Sequence, residues 1–213
     1  AQGYRYNTDY DINNFFYQGR LDVSEHRLRI LAGYSERRFG ANGFYASPNF
    51  TNQFEAIQTG MLSLEDSWRQ GSWTFKPRLY WRRNQDEFIF NRNNPAAYRN
   101  LHITQTGGLE FHASHTNKWG ISGIGAEIGF MGIRSNNLGS RQRGVASIFA
   151  EHRFLLFDEN LDITPGISFY HYSDFGSRVF PGLDIGYRLG PQFKLFANAG
   201  YTFRVPTYTD LYY

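Results

Sequence analysis

The sequence predicts an all-β protein, an antiparallel transmembrane β-barrel segment of about ten strands. Apolar and polar residues alternate with a period of two over long stretches, the pattern of a strand whose two faces meet different surroundings. Many of these stretches exceed the ~5–6 residues usual in soluble sheets and reach the ~9–11 residues with which a strand crosses a bilayer. Aromatic residues make up 18% of the 213 residues and there are 22 glycines, which suits packed strands and turns rather than a solvated coil.

The alternation is clearest in four stretches, residues 28–35, 73–83, 161–170 and 193–203. In each of them one face is mainly Leu, Ile, Phe, Trp, Tyr or Ala, and the other face is rich in Arg, Lys, Thr, Ser, Asn and Gly. The ten predicted strands are residues 14–23, 27–46, 53–69, 72–90, 101–115, 119–134, 142–157, 160–173, 178–189 and 192–204.

The connections between these strands alternate between tight and loose. The tight ones carry polar, Gly or Pro residues that form turns, and they are residues 24–26, 70–71, 116–118, 158–160 and 190–191. The loose ones are residues 47–52, 91–100, 135–141, 174–177 and the end after Arg204. This alternation is typical of outer-membrane barrels, which have short periplasmic turns and longer extracellular loops. A soluble β-sandwich also alternates along its strands and is the competing interpretation.

In a barrel, the apolar face would meet lipid and the polar face a wet lumen. Outer-membrane barrels carry aromatic girdles where the strands leave the bilayer. The candidates for such a girdle are Trp73, Trp81, Trp119, Tyr187 and Tyr201.

Several function classes are excluded or disfavoured by the sequence. The absence of Cys excludes disulfides and thiolate metal sites, and no apolar run approaches the ~20 residues of a membrane helix. The net charge is +3, and the arginines are scattered through strands instead of forming a basic stripe, which disfavours nucleic-acid binding. No nucleophile elbow, phosphate-binding loop or H-E-x-x-H motif is present. Because His112 and His115 are three apart on a strand, they face opposite sides and cannot share a zinc ion. We therefore predict that the chain is not an enzyme.

The best candidates for substrate binding lie in the loose connections, because loops on a rigid scaffold usually carry binding. Aromatic rings give a large contact area at a low entropy cost, and Asn both donates and accepts hydrogen bonds. The candidates are Asn42, Phe44, Tyr45, Asn91, Arg92, Tyr98, Asn136, Tyr172, Asp174, Tyr208 and Asp210. The competing interpretation for each of them is an ordinary loop or interface residue.

We predict no cofactor, and the one exception that the residues offer is calcium. Asp9 and Asp11, with neighbouring asparagines, form an oxygen-rich loop of the kind that calcium prefers. The D-x-D spacing is too short to be specific for calcium. Neither the glycine nor the distal glutamate of an EF-hand calcium loop follows it.

Three segments resemble a known family. Residues 203–212 read FRVPTYTDLY and resemble the FRxPTxxxLY segment of TonB-dependent outer-membrane receptors. Residues 3–10 read GYRYNTDY and are similar to the DGYRxNTDY loop opening of the same family. Residues 39–45, FGANGFY, with 52–55, NQFE, resemble an extracellular loop of its cobalamin-receptor branch.

The resemblance implies a 22-stranded barrel closed by an N-terminal plug domain. Residues 1–213 would then be a partial barrel domain that lacks the plug and the remaining strands. The implied function is active import of a scarce nutrient, cobalamin or a ferric siderophore, across the outer membrane of a Gram-negative bacterium. Calcium in a loop is known in the cobalamin branch.

The implied partners are the TonB complex acting through the plug, the substrate and outer-membrane lipid, and the resemblance leaves open whether a surface lipoprotein caps the barrel. The alternatives are a complete ten-stranded outer-membrane barrel that acts as a protease or adhesin, and a passive porin.

Overall fold

The computed structural model describes residues 5–45 and 49–212. Gly3 and Tyr4 of the opening motif, residues 46–48 at the predicted end of the second strand and the start of the first loose connection, and Tyr213 lie outside these ranges. The described residues form eleven strands in one antiparallel sheet, followed by one short helix. The strands are β1 Tyr10–Val23, β2 His26–Gly40, β3 Phe54–Glu65, β4 Trp68–Gln70, β5 Trp73–Ile89, β6 Arg99–Asn117, β7 Gly120–Ser135, β8 Gly139–Leu156, β9 Leu161–Tyr172, β10 Gly176–Arg188 and β11 Lys194–Gly200, and the helix is α1 Tyr208–Tyr212.

The eleven strands correspond to the ten predicted ones, because β3 and β4 are two parts of one strand. The order is β1-β2-β3-β5-β6-β7-β8-β9-β10-β11, and β4 pairs with the same neighbours as β3, namely β2 and β5. Asp66 and Ser67 interrupt it as a bulge, in which the Ser67 carbonyl accepts a hydrogen bond from Arg27 N at 2.8 Å. The all-β antiparallel prediction is confirmed.

The prediction that tight and loose connections alternate strictly is only partly right. The turns at one end of the sheet are short, as predicted, and Gly71 supplies the left-handed backbone (φ 59°) that one of them needs. At the opposite end, residues 41–53 and 90–98 are long, and the chain after Gly200 also leaves the sheet there, whereas residues 136–138 and 173–175 are three-residue links. We call these the turn end and the loop end of the sheet.

The last predicted strand is also shorter than expected. Pairing with β10 stops at Gly200, and Tyr201 N still donates to Pro181 O at 3.1 Å. Residues 201–207 then leave the sheet and lead into α1. Pro206 lies in this segment, where it has no ladder hydrogen bond to donate.

The strand register keeps one face apolar and the other polar across the sheet. Opposite residues on neighbouring strands share a face, and one apolar row runs Ile30, Leu64, Leu79, Leu109, Ile128, Ala146. The polar row beside it runs Arg29, Glu65, Arg78, Glu110, Glu127, Ser147. The faces therefore follow the predicted alternation. His112 and His115 fall on opposite faces, as predicted.

The apolar face is not covered by a second layer. Among the described residues, the only buried hydrophobic side chains are Ala41, Ala113, Ile133 and Leu138. On the apolar face, Leu109 is 50% exposed, Leu79 is 52% exposed and Ile128 is 66% exposed. A β-sandwich would bury such a face between two sheets, so that interpretation is wrong. Within the same residues β1 and β11 do not pair with each other, which disagrees with a closed ten-stranded barrel.

The apolar face ends in polar residues toward the loop end. Trp81 is followed two positions later by Arg83, which lies opposite Gly60 and Gln105 on the same face. All five girdle candidates are at least 40% exposed, and Trp73, Trp119 and Tyr187 lie at the turn end. In the described ranges no helix has the length and apolarity needed to cross a membrane.

Candidate functional site

Arg92 is the centre of a first cluster of contacts at the loop end. Its Nη1 donates to both carboxylate oxygens of Asp9 at 2.7 and 2.8 Å and to Asn7 Oδ1 at 3.2 Å. The guanidinium also lies 4.7 Å from the ring centroid of Phe54. The hydrogen bond from Arg92 lowers the pKa of Asp9 below its usual range. Arg92, a predicted ligand residue, thus joins the 90–98 loop to the start of the chain.

Two asparagines join that start to the 41–53 loop. Asn7 has a left-handed backbone (φ 58°), which Asn tolerates better than most residues. Its Nδ2 donates to the carbonyls of Thr51 at 2.9 Å and Gln53 at 2.6 Å. Asn42, another predicted ligand residue, donates from Nδ2 to Tyr6 O at 2.6 Å. Both amides therefore fix loop geometry.

Aromatic side chains form an exposed surface on the same loops. Phe44 is 74% exposed and meets the ring of Tyr45 edge-on at 4.7 Å. The Tyr45 ring in turn meets Phe88 at 5.4 Å. Phe90 packs against Phe50 at 4.9 Å and against the half-exposed Tyr98 at 6.3 Å. The predicted ligand residues Phe44, Tyr45 and Tyr98 are thus backed by other rings and still present area to solvent.

Two carboxylates lie on the polar face just below these rings, beyond Arg83 where the apolar face ends and therefore outside the lipid-facing band. Glu55 is buried and its burial raises the pKa, an effect that the nearby Asp86 carboxylate increases and the Tyr45 hydroxyl opposes. Burial also raises the pKa of Asp86, while His102, directly opposite on β6, lowers it. Burial, together with Glu55, raises the pKa of the Tyr45 hydroxyl. Gln53 is fully buried, and its Nε2 has no hydrogen-bond partner in the described part of the chain.

Arg143 is the centre of a second cluster, which the sequence did not indicate. Its Nε donates to both carboxylate oxygens of Asp174 at 2.8 Å. Nη1 and Nη2 donate to Pro206 O at 3.2 and 3.3 Å. The guanidinium lies 5.0 Å from the ring centroid of Phe175 and 5.2 Å from that of Tyr208. Asp174 and Tyr208, both predicted ligand residues, are thus partners of one buried arginine.

The chain after β11 forms a capped turn of helix against this arginine. Thr207 Oγ1 accepts from Asp210 N at 3.1 Å, and the Asp210 carboxylate accepts from Thr207 N at 2.9 Å. This reciprocal pair is a capping box with Thr207 as the N-cap, and its hydrogen bonds lower the pKa of Asp210. Arg204 also pairs with Asp210 at 3.2 Å, and Tyr208 donates from its hydroxyl to Met131 O at 3.1 Å.

The remaining predicted ligand residues are partly engaged in the same way. Asn91 Oδ1 accepts from Asn93 N at 3.0 Å and closes a turn. Asn136 Oδ1 accepts from Leu101 N at 2.8 Å, and its Nδ2 donates to Arg99 O, so the residue ties the β7–β8 link to β6. Tyr172 stacks on Tyr170 at 6.0 Å. None of these contacts tests ligand binding, which stays a prediction for all eleven residues.

The described arrangement of Asp9 and Asp11 does not fit a calcium site. Both oxygens of Asp9 already accept from Arg92, and Asp11 Oδ1 accepts from Asn13 Nδ2 at 3.3 Å. No group of three His, Cys, Asp or Glu residues suited to a metal ion occurs within residues 5–45 and 49–212. A calcium ion at Asp9 would have to displace Arg92 from both carboxylate oxygens. Calcium binding itself is not tested by these contacts and stays a prediction.

Comparisons with known proteins agree with this architecture. Residues 1–213 match the family model described as TonB dependent receptor-like, beta-barrel. Among solved structures, the chain is similar to the siderophore receptor PirA from Pseudomonas aeruginosa, with a TM-score of 0.74 and 14% identity, covering 92% of this chain and 34% of that one. It is also similar to the ferric citrate transporter FecA in its unliganded form, with a TM-score of 0.72 and 12% identity, covering 92% and 36%.

A third similar structure is a mutant of the ferric enterobactin receptor PfeA from Pseudomonas aeruginosa. Its TM-score is 0.71 at 17% identity, with 92% of this chain and 34% of that one covered. The chain therefore spans about a third of the length of these structures, and at such identities the likeness concerns the fold alone. No curated protein matches the chain.

Proposed function

Because the chain belongs to the family of TonB-dependent receptor β-barrels, we propose that it forms part of the barrel wall of an outer-membrane receptor for active nutrient uptake. Members of this family are outer-membrane proteins of Gram-negative bacteria. An apolar face without a second protein layer suits contact with lipid, and the opposite face, with its rows of Arg, Glu, Thr and Tyr, suits a wet lumen. The unpaired edges of β1 and β11 would be costly in lipid, and the remaining strands of a 22-stranded barrel would pair with them.

The observation that carries the proposal is the exposed aromatic surface of Phe44, Tyr45 and Tyr98 at the loop end, above the polar face. Rings that are held by other rings offer contact area without much loss of side-chain entropy on binding. We propose that this surface is a first contact for a ferric siderophore, since such ligands carry aromatic or amide surface. The solved structures similar to this chain include receptors named for siderophores and ferric citrate.

Cobalamin is the second candidate substrate. It is supported by the resemblance of residues 39–45 and 52–55 to a loop of the cobalamin-receptor branch. Phe44 and Tyr45 of this segment are 74% and 49% exposed, which suits contact with a large corrin ring and its amide side chains.

Uptake would follow the mechanism that the family implies. The substrate binds the loops and the plug, and TonB then pulls on the plug and opens a path through the barrel, without breaking a bond in the substrate. The plug, the TonB complex and a surface lipoprotein are the proposed partners, with outer-membrane lipid around the wall.

The test measures ligand binding to the full-length receptor in detergent. Binding is detected as quenching of tryptophan fluorescence. The probes are a ferric catecholate, a ferric hydroxamate, ferric citrate and cyanocobalamin. We expect one of them to bind and Phe44→Ala with Tyr98→Ala to weaken that binding about tenfold, which corresponds to about 1.4 kcal/mol. The matched control is Phe157→Ala, since Phe157 is 73% exposed but lies in a turn at the opposite end. Absence of binding by all four probes, together with ion conductance in a planar bilayer, would favour a porin.

A further inference from the structure

Arg143 differs from the other arginines that form ion pairs in this sheet. Its side chain is 3% exposed, whereas the side chains of the others are 43–77% exposed. It lies on the polar face, opposite Met131 on β7. The polar face is open elsewhere, but residues 204–212 fold over Arg143 and bury it. We call residues 204–212 the strap.

The contacts of Arg143 use both sides of its guanidinium group. The Nε edge binds Asp174, in the link between β9 and β10, and the Nη edge binds the Pro206 carbonyl in the strap. The rings of Phe175 and Tyr208 lie about the same cation. One side chain of β8 thus connects the strap to the wall and to a neighbouring link of the loop end.

The strap carries its own complementary features. The capping box between Thr207 and Asp210 keeps α1 wound, and Tyr208 reaches Met131 O on β7 with its hydroxyl. At the far end, Tyr212 lies over Arg141, with 4.1 Å between the guanidinium carbon and the ring centroid. Met131, Arg141 and Arg143 all lie on the polar face, so the strap folds inward over the lumenal side of the wall.

We propose that Arg143 is a positioning residue: its ion pair with Asp174 orients the guanidinium, and its hydrogen bonds to Pro206 O hold the strap closed against the inner wall at the loop end. Release of this contact would let residues 204–212 swing away from β7 and β8 and change the width of the barrel mouth. The ion pair keeps the guanidinium aimed at the strap, and removing either partner of a buried ion pair is strongly destabilising, so the closed state depends on Asp174 as well as on Arg143. The inference rests on the proposed function, since it assumes that the polar face lines a lumen.

Asp174 and Tyr208 acquire a different role from the one that the sequence indicated. In the closed strap their polar atoms bind Arg143 and Met131, respectively. They act on any ligand through the position of the strap, and the exposed rings of the first cluster remain as the contacts.

The test measures the strap directly in the full-length receptor. Nitroxide labels are placed at Thr209→Cys on the strap and Gln142→Cys on the wall, two exposed positions in a chain that contains no native cysteine. Pulsed EPR then gives the distribution of distances between the labels. We expect one narrow distance in the parent, and at least a tenfold larger share of long, broad distances in Arg143→Met. Arg143→Lys should also broaden the distribution, because a lysine ammonium lacks the planar group that directs Nε–H to Asp174 and the two Nη–H groups to the Pro206 carbonyl.

Two further variants keep the test decisive. Arg78→Met removes an arginine of the same face that pairs with Glu110 at 2.6 Å, and it should leave the distribution narrow. Asp174→Asn keeps the shape of the partner but removes its charge, and it decides the question if Arg143→Met does not fold. An unchanged narrow distribution in Asp174→Asn and Arg143→Met would overturn the inference. Failure of the parent to bind any of the four probes would overturn the proposed function and leave the EPR result standing.

Discussion

The close packing of Tyr80 over two glycines gives the sharpest prediction for the polar face. Tyr80 on β5 lies opposite Gly108 on β6, which lies opposite Gly129 on β7. Because neither glycine has a side chain, the phenol ring can lie along the wall and donate its hydroxyl to Glu127 Oε1 at 2.5 Å. We predict that Gly108→Ala breaks this arrangement.

The size of the effect follows from the distances around Gly108. A methyl group there would lie 2.8 Å from Tyr80 Oη, 3.0 Å from Tyr80 Cζ and 2.9 Å from the backbone carbonyl of Ile128. The ring can move, but the carbonyl belongs to the β6–β7 ladder and cannot move cheaply. Loss of a hydrogen bond to a charged group costs about 1.5–3 kcal/mol, and overpacking adds about 1–3 kcal/mol. We therefore expect Gly108→Ala to lower the free energy of unfolding by about 2–5 kcal/mol, with the two contributions overlapping.

Gly60→Ala is the matched control, because its added methyl would meet only Trp81 Cζ3 at 3.9 Å. Its effect should stay within about 1 kcal/mol, since alanine also restricts the unfolded chain more than glycine does. The assay is guanidinium unfolding of the full-length receptor in lipid vesicles, followed by tryptophan fluorescence. Tyr80→Phe combined with Gly108→Ala should cost less than the sum of the two changes, because the phenylalanine lacks the hydroxyl that the methyl meets. Additive costs, or equal costs of Gly108→Ala and Gly60→Ala, would refute the reasoning.

Three further predictions use the same receptor. Leu109→Arg, on the apolar face, should destabilise it in vesicles by about 2–4 kcal/mol, whereas Thr106→Arg on the polar face should be nearly neutral; equal effects would contradict lipid contact. Burial raises the pKa of Glu55 above its ordinary 4.5, so the folded state holds this proton more tightly than the unfolded state, and stability is lost as the pH rises from about 4.5 through the raised pKa. Unfolding measured across this window should show Glu55→Gln gaining stability over the parent as the pH rises, and parallel curves would rule this out. Calcium at Asp9 must displace Arg92, so substrate affinity measured with calcium and with a chelator decides that prediction, and equal affinities would remove it.

The two faces of the sheet could be predicted from the sequence because the face of a strand residue depends only on local parity. Once Leu79 and Arg78 alternate on β5, pairing places Leu109 and Glu110 on the matching faces of β6. The bulge at Asp66 and Ser67 could not be predicted, since it appears only in the pairing of Ser67 with Arg27 on another strand. The lengths of the β7–β8 and β9–β10 links were also overestimated, because β8 already begins at Gly139 and β10 at Gly176, so residues predicted to lie in the links extend the ladder instead.

The second cluster was hidden from the sequence for a similar reason. Arg143 stands in a strand among other arginines, and its partners Asp174 and Pro206 are 31 and 63 positions away. No local pattern connects residues so far apart. The FRVPTYTDLY segment did indicate a special structure after β11, but only the structure shows that Pro206 and Tyr208 are its contacts with the wall.

The fate of the predicted ligand residues narrows the kind of recognition that this wall can offer. Several of these residues already use their polar groups in hydrogen bonds within the protein, namely Asn42, Asn136, Arg92 and Asp174. Each group used in this way would have to give up a protein partner before it could bind a ligand, at a net cost of about 0.5–1.5 kcal/mol for an ordinary hydrogen bond and more for a charged one. The ring of Phe44 has no such cost, because its exposed face is already available. This part of the receptor is therefore suited to select a ligand by its apolar and aromatic surface, and polar recognition of the substrate falls to groups that are not already paired in this wall.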